Sequence, residues 1–472
     1  MAYKDLRKHI QLLEEAGELQ RIKAEVDWDV EISAIMRRVF KLNGPACLFE
    51  NVKGYKTPVF TGALFRHKKY AMNIDAPPNL KGIIEKVKVA MANPIDLKMV
   101  SSGHCKENID KGDKINLEKF PVPRWHELDG GRYIGTLGVV VTKDPETGIR
   151  NLAVYREQLF GKNKTGFNPE QHAGIHLRKY RAMNKPMPVV TCIGVPPSVL
   201  CAALTKAPYG QDESGIAGAL CGEAVPFVKC ETVDLEAPAD SEIVIEGEVP
   251  TDVSKWEMEG PFGEFTGHFH SLEKQQKPTI YVTAVTYRDN PIYQGCSPGI
   301  APNEETTPRE IGGTAGAWVE LQRSGIPGIK DVYVTEMGCA GMVTIVQMDR
   351  HFYLGNVRQI IYFCFAKLFM CKWVIVVDDD VDIYDKGAIE WALATRVQPH
   401  RDIVITDNRL QGIELDPSIH PDMNKIPRAQ TSKIGIDATT KFKGHEFAPL
   451  VLDSPALAGK IESRWKEYGF KI

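Results

Sequence analysis

Two glutamates frame a short loop that could carry acid–base chemistry. Residues 257–267 read EMEGPFGEFTG, and the glycines and proline between Glu259 and Glu264 predict a tight, irregular loop. Such a loop can bring the two carboxylates into one site despite their spacing of five. Two close carboxylates raise the pKa of one of them, which lets it donate a proton near neutral pH. A polar surface turn is the alternative interpretation of the same residues.

A second group has the residue types that bind a divalent metal ion. Asn151, His176 and Glu213 together offer oxygen and nitrogen donors suited to Mg²⁺ or Mn²⁺. Spacing alone does not single them out, and each could instead be a structural residue satisfied by hydrogen bonds. Asn151 and Arg156 also differ in strand parity, so a regular strand places them on opposite faces. They can share a site only if a bulge or a strand end lies between them.

A third feature is the acidic run Asp378, Asp379 and Asp380 at the end of an apolar strand. Nucleotide-sugar transferases hold their metal with acids at a strand end, so a metal-dependent transferase is an alternative enzyme class. The same acids could simply cap a following helix or accept hydrogen bonds from loop amides. Because no clear nucleotide-binding region accompanies them, we favour the capping interpretation.

Composition excludes several classes of protein. The 472 residues include 58 basic and 61 acidic side chains, and 43% are hydrophobic, which is ordinary globular composition rather than that of a disordered or fibrous chain. The lack of long basic runs argues against nucleic-acid or membrane-surface binding. The N-terminus lacks a signal-peptide pattern, and the ten cysteines include no C-x-x-C pair. We therefore expect a cytoplasmic protein with reduced thiols.

Strand and helix patterns indicate how these residues are positioned. Segments rich in Val and Thr between Gly/Pro turns predict a β-rich middle third with strands at 133–142, 151–155, 188–195, 227–235, 242–249 and 279–287. The sequence TPRE at 307–310 predicts a capping box that begins a helix running towards Gly325. Strands at 343–348 and 373–377 predict a second α/β unit. Pro455, Leu457, Ile461 and Trp465 predict an amphipathic terminal helix.

Taken together, these segments resemble the UbiD family of reversible decarboxylases, which use prenylated FMN. The most specific match is EGPFGE at 259–264, supported by Asn151 and Arg156 in the pattern N-x4-R. Four further matches in chain order are GIHLR at 174–178, DESGIAG at 212–218, VKCE at 228–231 and WALATR at 391–396. The similarity runs essentially from end to end of the chain.

The resemblance implies a catalytic network of Arg156, Glu259 and Glu264. Glu264 would be the acid/base, Glu259 would hold Arg156, and Arg156 would sit by the substrate carboxylate. A free glutamic acid has a pKa of about 4.3, so the site must raise that of Glu264 by roughly one to three units. Because Arg156 opposes that rise, we expect it to pair with Glu259 and leave Glu264 able to bind a proton.

The resemblance also implies cofactor-binding residues. Asn151, His176 and Glu213 match positions that bind Mn²⁺ (or Mg²⁺), which in turn grips the cofactor phosphate, and a K⁺ is expected near this metal. Lys372 matches a lysine that reaches the same phosphate from the second domain. A flavin prenyltransferase would supply the prenylated FMN.

The implied activity is reversible non-oxidative decarboxylation of an aromatic acid, phenolic acids included, or of an α,β-unsaturated acid. Overall likeness leans towards the hydroxybenzoate-type aryl acids, with CO₂ as the other small partner. Residues 295–298 and 431–436 are candidates for the pocket lining, without an assignment. A non-catalytic flavin-binding subunit remains an alternative, but it would lack the Glu-Arg-Glu set that is present here.

The fold implied by the resemblance is α/β with some α+β character. Residues 1–303 would form a prenylated-FMN-binding domain around a split β-barrel core at about 112–300. A linking helix would follow at 304–325, then a C-terminal α/β oligomerisation domain at 326–450. Residues 451–472 would form a terminal helix that docks on a partner subunit of a homo-oligomer, either a dimer or a hexamer.

Overall fold

The computed structural model describes residues 5–339, 341–349, 355–368, 370–407, 410–413, 415–419, 430–441, 447–448 and 450–470. Parts of the predicted C-terminal domain and of the terminal segment therefore lie outside the described residues. The helices are α1 (Leu6–Glu15), α2 (Glu31–Lys41), α3 (His67–Ile74), α4 (Leu80–Ala92), α5 (Gln171–Ala182), α6 (Pro197–Ala203), α7 (Glu213–Cys221), α8 (Thr306–Arg323), α9 (Gly355–Lys367), α10 (Lys386–Arg396), α11 (Pro399–Asp402) and α12 (Pro455–Ser463).

The strands alternate with these helices along the chain. They are β1 (Leu19–Ile22), β2 (Ala46–Phe49), β3 (Val59–Thr61), β4 (Lys98–Met99), β5 (Asn108–Lys111), β6 (Val139–Lys143), β7 (Arg150–Val154), β8 (Lys164–Gly166), β9 (Met187–Ile193), β10 (Pro226–Lys229), β11 (Glu236–Pro238), β12 (Ile243–Val249), β13 (Met258–Glu259), β14 (Gln275–Gln276), β15 (Thr279–Tyr287), β16 (Tyr293–Gln294), β17 (Ile329–Val334), β18 (Val343–Met348), β19 (Trp373–Asp378), β20 (Ile403–Ile405), β21 (Leu410–Gln411), β22 (Gln430–Thr431) and β23 (Ile434–Ala438).

Helix α1 covers a small sheet at the start of the chain. Asp5 caps the helix by accepting a hydrogen bond from the backbone N–H of Lys8 at 2.8 Å. Its buried face carries Leu6, Ile10 and Leu13, which follow the helical spacing of a single stripe. These side chains pack on strands of the sheet ordered β1-β2-β3-β16. Burying each is worth about 1.5–3 kcal/mol relative to leaving it exposed.

The largest sheet occupies the middle of the chain and runs in the order β5-β15-β12-β9-β6-β7, with β8 also paired to β15. Its strands alternate side chains between two apolar layers, because successive residues of a strand point to opposite faces. Val244 of β12 faces a cluster that includes α6 and α7, whereas Ile243 and Ile245 face the opposite cluster. The predicted β-rich middle third is confirmed, although β10 is much shorter than predicted.

A second sheet, β17-β18-β19-β23-β20, follows in the C-terminal part, and β18, β19 and β23 within it are parallel. Side chains of β19 alternate as in the first sheet. Val374 and Val376 face helices α8 and α9, whereas Ile375 and Val377 face α10. The mixed α/β class is therefore confirmed, with the split β-barrel remaining a prediction.

Helix α8 connects the two sheets, and its N-terminus differs from the predicted capping box. The helix begins at Thr306 with Glu305 as its N-cap residue, and no side chain caps it. Thr307 instead hydrogen-bonds Glu336, and Glu310 bonds His67 and Tyr333. The local capping pattern is wrong because both side chains are used in contacts with other elements.

Close packing fixes α8 against the loop that follows α6. A Cβ atom added at Gly312 would lie 2.6 Å from the Leu204 carbonyl oxygen, and one at Gly316 would lie 2.6 Å from that of Lys206. Both approaches are too short for any side chain. The helix and the 204–206 loop are therefore held in one relative position, which matters below because both line the same cavity.

The terminal helix is shorter than predicted. Helix α12 ends at Ser463, and Trp465 lies in a separate single turn, Trp465–Tyr468. No residue of α12 is buried within the chain, and its docking on a partner subunit stays a prediction. Among the described helices, none combines the length and the apolar character needed to cross a membrane.

Candidate active site

Arg156 joins Glu259 and Glu264 in one hydrogen-bonded group. Its Nε and Nη2 donate to the two carboxylate oxygens of Glu259, both at 2.9 Å, and its Nη1 donates to Oε1 of Glu264. The paired N–H groups match the two oxygens of a carboxylate, which makes this the strongest form of such a contact. The structure thus brings together the three residues of the predicted catalytic network.

Glu264 is buried next to this arginine. Burial raises the pKa of its carboxyl group to about 7, with Arg156 opposing the rise and Glu305, Glu170 and Glu259 adding to it. Desolvation dominates because a charged carboxylate loses its hydration when it is enclosed by protein. At neutral pH, Glu264 is therefore able both to donate and to accept a proton, as acid–base catalysis requires.

The loop that carries Glu264 is held by the segment around Asp129. The Asp129 carboxylate accepts hydrogen bonds from the backbone N–H of Gly263 and of His126, both at 2.9 Å. Gly130 donates its N–H to the Pro261 carbonyl oxygen at 2.8 Å. The two segments are pressed together, since a Cβ atom added at Gly130 would lie 1.8 Å from the Gly260 carbonyl oxygen.

We expect Gly130→Ala to disrupt this site. The added methyl group meets backbone atoms, so one segment must move, at a cost of about 1–3 kcal/mol in the free energy of unfolding. The movement separates Glu259 and Glu264 from Arg156 and lowers turnover. Thermal unfolding and activity measure the two effects, with Gly355→Ala at the start of α9 as the control because a Cβ there meets nothing within 4 Å. Unchanged melting and activity in Gly130→Ala would contradict this role.

The candidate metal ligands come from three elements. Asn151 lies on β7, which ends at Val154, and this strand end resolves the parity conflict with Arg156. Glu213 is the first residue of α7, and His172 lies near the start of α5. His172 Nδ1 lies 3.1 Å from Asn151 Oδ1 and 3.9 Å from Glu213 Oε1. One amide oxygen, one imidazole and one carboxylate therefore meet at a single point.

His176, predicted as the histidine ligand, makes a different contact. Its Nδ1 lies 2.9 Å from the Thr142 hydroxyl, and no contact joins it to Asn151 or Glu213 in the described part of the chain. His172 and His176 are one helical turn apart on α5, so they share a face and only one is level with the other two donors. The structure places His172 there, and sequence reasoning missed it although both histidines follow the same strand-and-loop segment.

The donor set fits a bound divalent cation. The Glu213 side chain is only 3% exposed and forms no salt bridge with Lys or Arg in the described residues. Burial raises the pKa of its carboxyl group to about 8, while the Leu152 N–H donates to Oε2 at 2.8 Å and partly opposes this. Burial likewise lowers the pKa of His172, which keeps the imidazole neutral and able to bind a metal. A cation would compensate the buried carboxylate.

A cavity of about 490 Å³ connects the two groups of residues. Asn151, His172 and Glu213 line it together with Arg156 and Glu264. Its volume lies in the range of about 300–1,000 Å³ that is typical of cofactor and ligand sites. Apolar side chains form part of the wall, and they include Phe262, Phe265, Pro298, Met370, Ile413 and Leu415. Such a cavity can enclose a flat aromatic ligand next to the catalytic network.

Lys372, the predicted phosphate contact, does not line this cavity, whereas Lys206 does. Lys372 Nζ pairs with Asp416 at 2.8 Å and also contacts Ser418, and the residue is not among those that line the cavity. Lys206 does line it, with Nζ 3.4 Å from Met370 Sδ and no salt bridge to a described acid. Burial and the nearby Arg309 lower the pKa of Lys206 to about 8. Lys206 was not a candidate because nothing in its local sequence marks it.

The acidic run at the end of β19 has internal partners. Asp378 accepts hydrogen bonds from the N–H and hydroxyl of Thr440, both at 2.6 Å, and from Arg396 at 3.3 Å. Arg396 also pairs with Asp380 at 2.8 Å, and its side chain is fully buried. A metal ion at this position would have to displace the guanidinium of Arg396, which already pairs with Asp378 and Asp380. The site is structural, as the capping alternative anticipated, and the metal-dependent transferase is not supported.

Comparison with protein families matches most of the chain. Residues 10–87, 98–301 and 311–438 match the N-terminal, Rift-related and C-terminal domains of 3-octaprenyl-4-hydroxybenzoate carboxy-lyase, UbiD. A relative in Synechocystis, named "Uncharacterized protein sll0936", is 32% identical over 498 residues, which cover 99% of this chain and 96% of that protein. The similarity therefore extends over the whole length of both proteins.

Two solved structures have the same architecture. The UbiD-class enzyme HmfF from Pelotomaculum thermopropionicum, in complex with FMN, is 33% identical with a TM-score of 0.82, covering 96% of this chain and 98% of its own. The closed form of the vanillic acid decarboxylase from Sedimentibacter hydroxybenzoicus is 31% identical with a TM-score of 0.89, covering 99% of each chain. Each likeness therefore extends over nearly the full length of both proteins compared.

Proposed function

Because the chain belongs to the UbiD family of carboxy-lyases, we propose that it removes CO₂ reversibly from an aromatic carboxylic acid, with prenylated FMN as cofactor. The observation that carries this proposal is the contact of Arg156 with both Glu259 and Glu264 at the wall of an enclosed cavity. A non-catalytic flavin-binding subunit would not need this network.

The protein residues divide the work around the reacting carbon. Loss of CO₂ from an aromatic carbon leaves a carbanion, and prenylated FMN, when bound, supplies the electron sink that side chains lack. Glu264 in its neutral form donates a proton to that carbon. Glu259 fixes the guanidinium plane of Arg156 through two parallel hydrogen bonds, and Arg156 in turn orients Glu264. In the reverse direction, ionised Glu264 removes the ring proton.

The residues around Asn151 would hold the cofactor's phosphate through a metal ion. We assign Asn151, His172 and Glu213 as ligands of Mn²⁺ (or Mg²⁺), with a K⁺ nearby, because their donor types suit such ions. Lys206 is one of the cavity cations that form no salt bridge with a described acid, so it is a candidate phosphate contact in place of Lys372. The two positive charges of the divalent metal ion would offset the negative charge of the phosphate, which is otherwise costly to bury.

The substrate we propose is a hydroxybenzoate-type aryl acid. The solved relative from Sedimentibacter hydroxybenzoicus is a vanillic acid decarboxylase, and the apolar walls of the cavity suit an aromatic ring. A flavin prenyltransferase supplies the cofactor. The protein acts in the cytoplasm as a homo-oligomer, in which the exposed apolar side chains of α12 and the turn that follows it contact a partner subunit.

The domain organisation we propose follows the family. Residues 1–303 bind the cofactor, 304–325 form the linking helix, 326–450 form the oligomerisation domain, and 451–472 form the docking segment. The description of the matched model as Rift-related supports a split β-barrel for the large mixed sheet.

A pH profile tests the proposed function directly. Protein produced with a prenyl-flavin supply should show the absorbance of the bound cofactor and turn over an aryl acid. Because burial raises the pKa of Glu264 to about 7 and its neutral form is the proton donor, decarboxylation should fall about tenfold per pH unit above this value. Deuterium exchange into the product ring, which needs the ionised form, should instead rise with pH towards a plateau. A decarboxylation rate that is constant from about pH 6 to 9 would contradict the role of Glu264.

A further inference from the structure

Arg309, near the start of α8, lines the cavity with most of its hydrogen-bond donors unused. In the described residues its guanidinium makes one hydrogen bond, from Nη2 to Glu305 Oε1 at 3.4 Å, near the outer limit for such a bond. Its Nε is buried and has no hydrogen-bond partner within the same part of the chain. A guanidinium has five N–H donors, so four remain open.

Arg309 contrasts with the arginine of the catalytic network. Arg156 uses Nε, Nη1 and Nη2 on Glu259 and Glu264, so the side of its guanidinium that could grip a ligand with two parallel bonds is filled. On the same side of Arg309, Nε has no partner and Nη2 makes only the 3.4 Å contact with Glu305. Arg178 also lines the cavity but is exposed. Between Arg156 and Arg309, Arg309 is therefore the arginine whose donors can take up a polar group of the substrate.

Packing holds Arg309 in place close to Glu264, the proposed acid–base group. Its guanidinium lies 3.9 Å from the centroid of the Phe265 ring, and Phe265 directly follows Glu264 in the chain. A cation–π contact of this kind holds the guanidinium against the face of the ring without using its N–H donors in conventional hydrogen bonds. The glycine contacts of α8 with the 204–206 loop fix the helix itself. A ligand that meets Arg309 is thus placed at a set distance from Glu264.

The chemistry of Arg309 and its neighbour Glu305 indicates which group of a ligand they can bind. Glu305 also lines the cavity, so a donor and an acceptor stand side by side. A hydroxyl group both accepts and donates a hydrogen bond, and it would satisfy the two at once. A carboxylate would be attracted by Arg309 but repelled by Glu305 in an environment of low dielectric constant. Lys206 adds positive charge near Arg309, which makes a diacid the competing ligand.

We propose that Arg309 and Glu305 bind a hydroxyl group on the aromatic ring of the substrate and so select hydroxylated aryl acids. This assignment rests on the proposed decarboxylation. It names the group that the site recognises besides the carboxylate that is lost.

The test compares three acids on the holoenzyme: a hydroxybenzoic acid, the same acid without the hydroxyl, and a benzene dicarboxylic acid. We expect Arg309→Met to lower kcat/KM for the hydroxylated acid by about 30-fold and for the unsubstituted acid by less than about threefold. Glu305→Gln, which removes the repulsion, should improve the diacid relative to the hydroxylated acid. Arg323→Met on the same helix, whose side chain is 62% exposed, is the matched control and should change neither.

A binding measurement separates this inference from the proposed reaction. Titration calorimetry with a phenol, the decarboxylated product, needs no turnover and should show weaker binding to Arg309→Met than to the wild-type holoenzyme. Equal losses of kcat/KM for all three acids, with unchanged phenol binding, would overturn the inference and leave Arg309 a support for Phe265. A wild-type preference for the diacid would overturn it as well. Failure of the wild type to turn over any aryl acid, with phenol binding still dependent on Arg309, would instead reject the proposed reaction.

Discussion

Glu264→Gln is expected to lower turnover by about 10³-fold while leaving the fold and cofactor content unchanged. Glutamine has the same size and can still accept a hydrogen bond from Arg156 Nη1, but it cannot donate a proton to carbon. The burial that raises the pKa of Glu264 to about 7 keeps that proton available near neutrality. Turnover in D₂O, with deuterium at the ring carbon of the product as the readout, measures the defect.

Glu257→Gln is the matched control for this change. Glu257 lies in the same segment, but its side chain is 40% exposed and pairs with Lys164 on the surface. Its loss should leave turnover and deuterium incorporation within about twofold of the wild type, as is usual for exposed ion pairs. If Glu264→Gln incorporated deuterium at the normal rate, the proton donor would have to be another group.

Much of the fold could be predicted because its signals are local. The strand at 279–287 corresponds to β15 and the strand at 343–348 to β18, since each alternates or concentrates apolar residues between clear turns. The first helix, with Asp5 as its cap and Leu6, Ile10 and Leu13 buried, follows from the same kind of pattern. The predicted capping box failed because Thr307 and Glu310 have partners from other parts of the chain, which no local pattern contains.

The contacts within the candidate site could be predicted only in part, because several of them join residues that are distant in sequence. The motif around Glu259 and Glu264 was visible because glycine and proline between two acids strongly favour a tight turn, which brings the flanking carboxylates near each other. Asn151 required a strand end, which the sequence left open and β7 provides at Val154. Lys206, which we propose in place of Lys372, could not be found from local sequence, since Lys372 is withdrawn from the cavity lining by its contacts with Asp416 and Ser418, which are distant in sequence.

The proposed acid–base group and the proposed metal ligands stand on different kinds of structural support. Glu264 stands on a loop held by backbone contacts with the segment around Asp129, so its position depends on neighbouring backbone. Asn151 and Glu213 stand on a strand and at a helix start, which are rigid elements packed into the largest apolar cluster. Both proposed roles need fixed positions, because a metal requires set ligand distances and a proton donor must stay within hydrogen-bond reach of the atom that it protonates.

His172→Leu is expected to remove the metal, whereas His176→Leu should retain it. Only the first substitution takes away a donor within contact distance of Asn151 and Glu213. Loss of a ligand should weaken Mn²⁺ binding by at least about 100-fold, more than the loss of an outer hydrogen bond to a ligand. Because the metal offsets the phosphate charge, bound flavin should fall with it. Metal analysis and flavin absorbance of the purified proteins measure both effects.

The two variants form a matched pair because both histidines lie on one face of α5 and both are largely buried. Melting temperatures separate loss of a ligand from loss of the helix, since His176 also holds Thr142 at 2.9 Å. Glu213→Gln, which keeps size and removes the charge, should reproduce the metal loss of His172→Leu. The opposite result, metal retained in His172→Leu and lost in His176→Leu, would require α5 to shift by about 6 Å along its axis and to turn by about 40°, because four residues rise about 1.5 Å each and exceed one turn of 3.6. Such a shift would break the present 3.1 Å contact between His172 and Asn151, so the metal analysis decides which turn of the helix faces the ion.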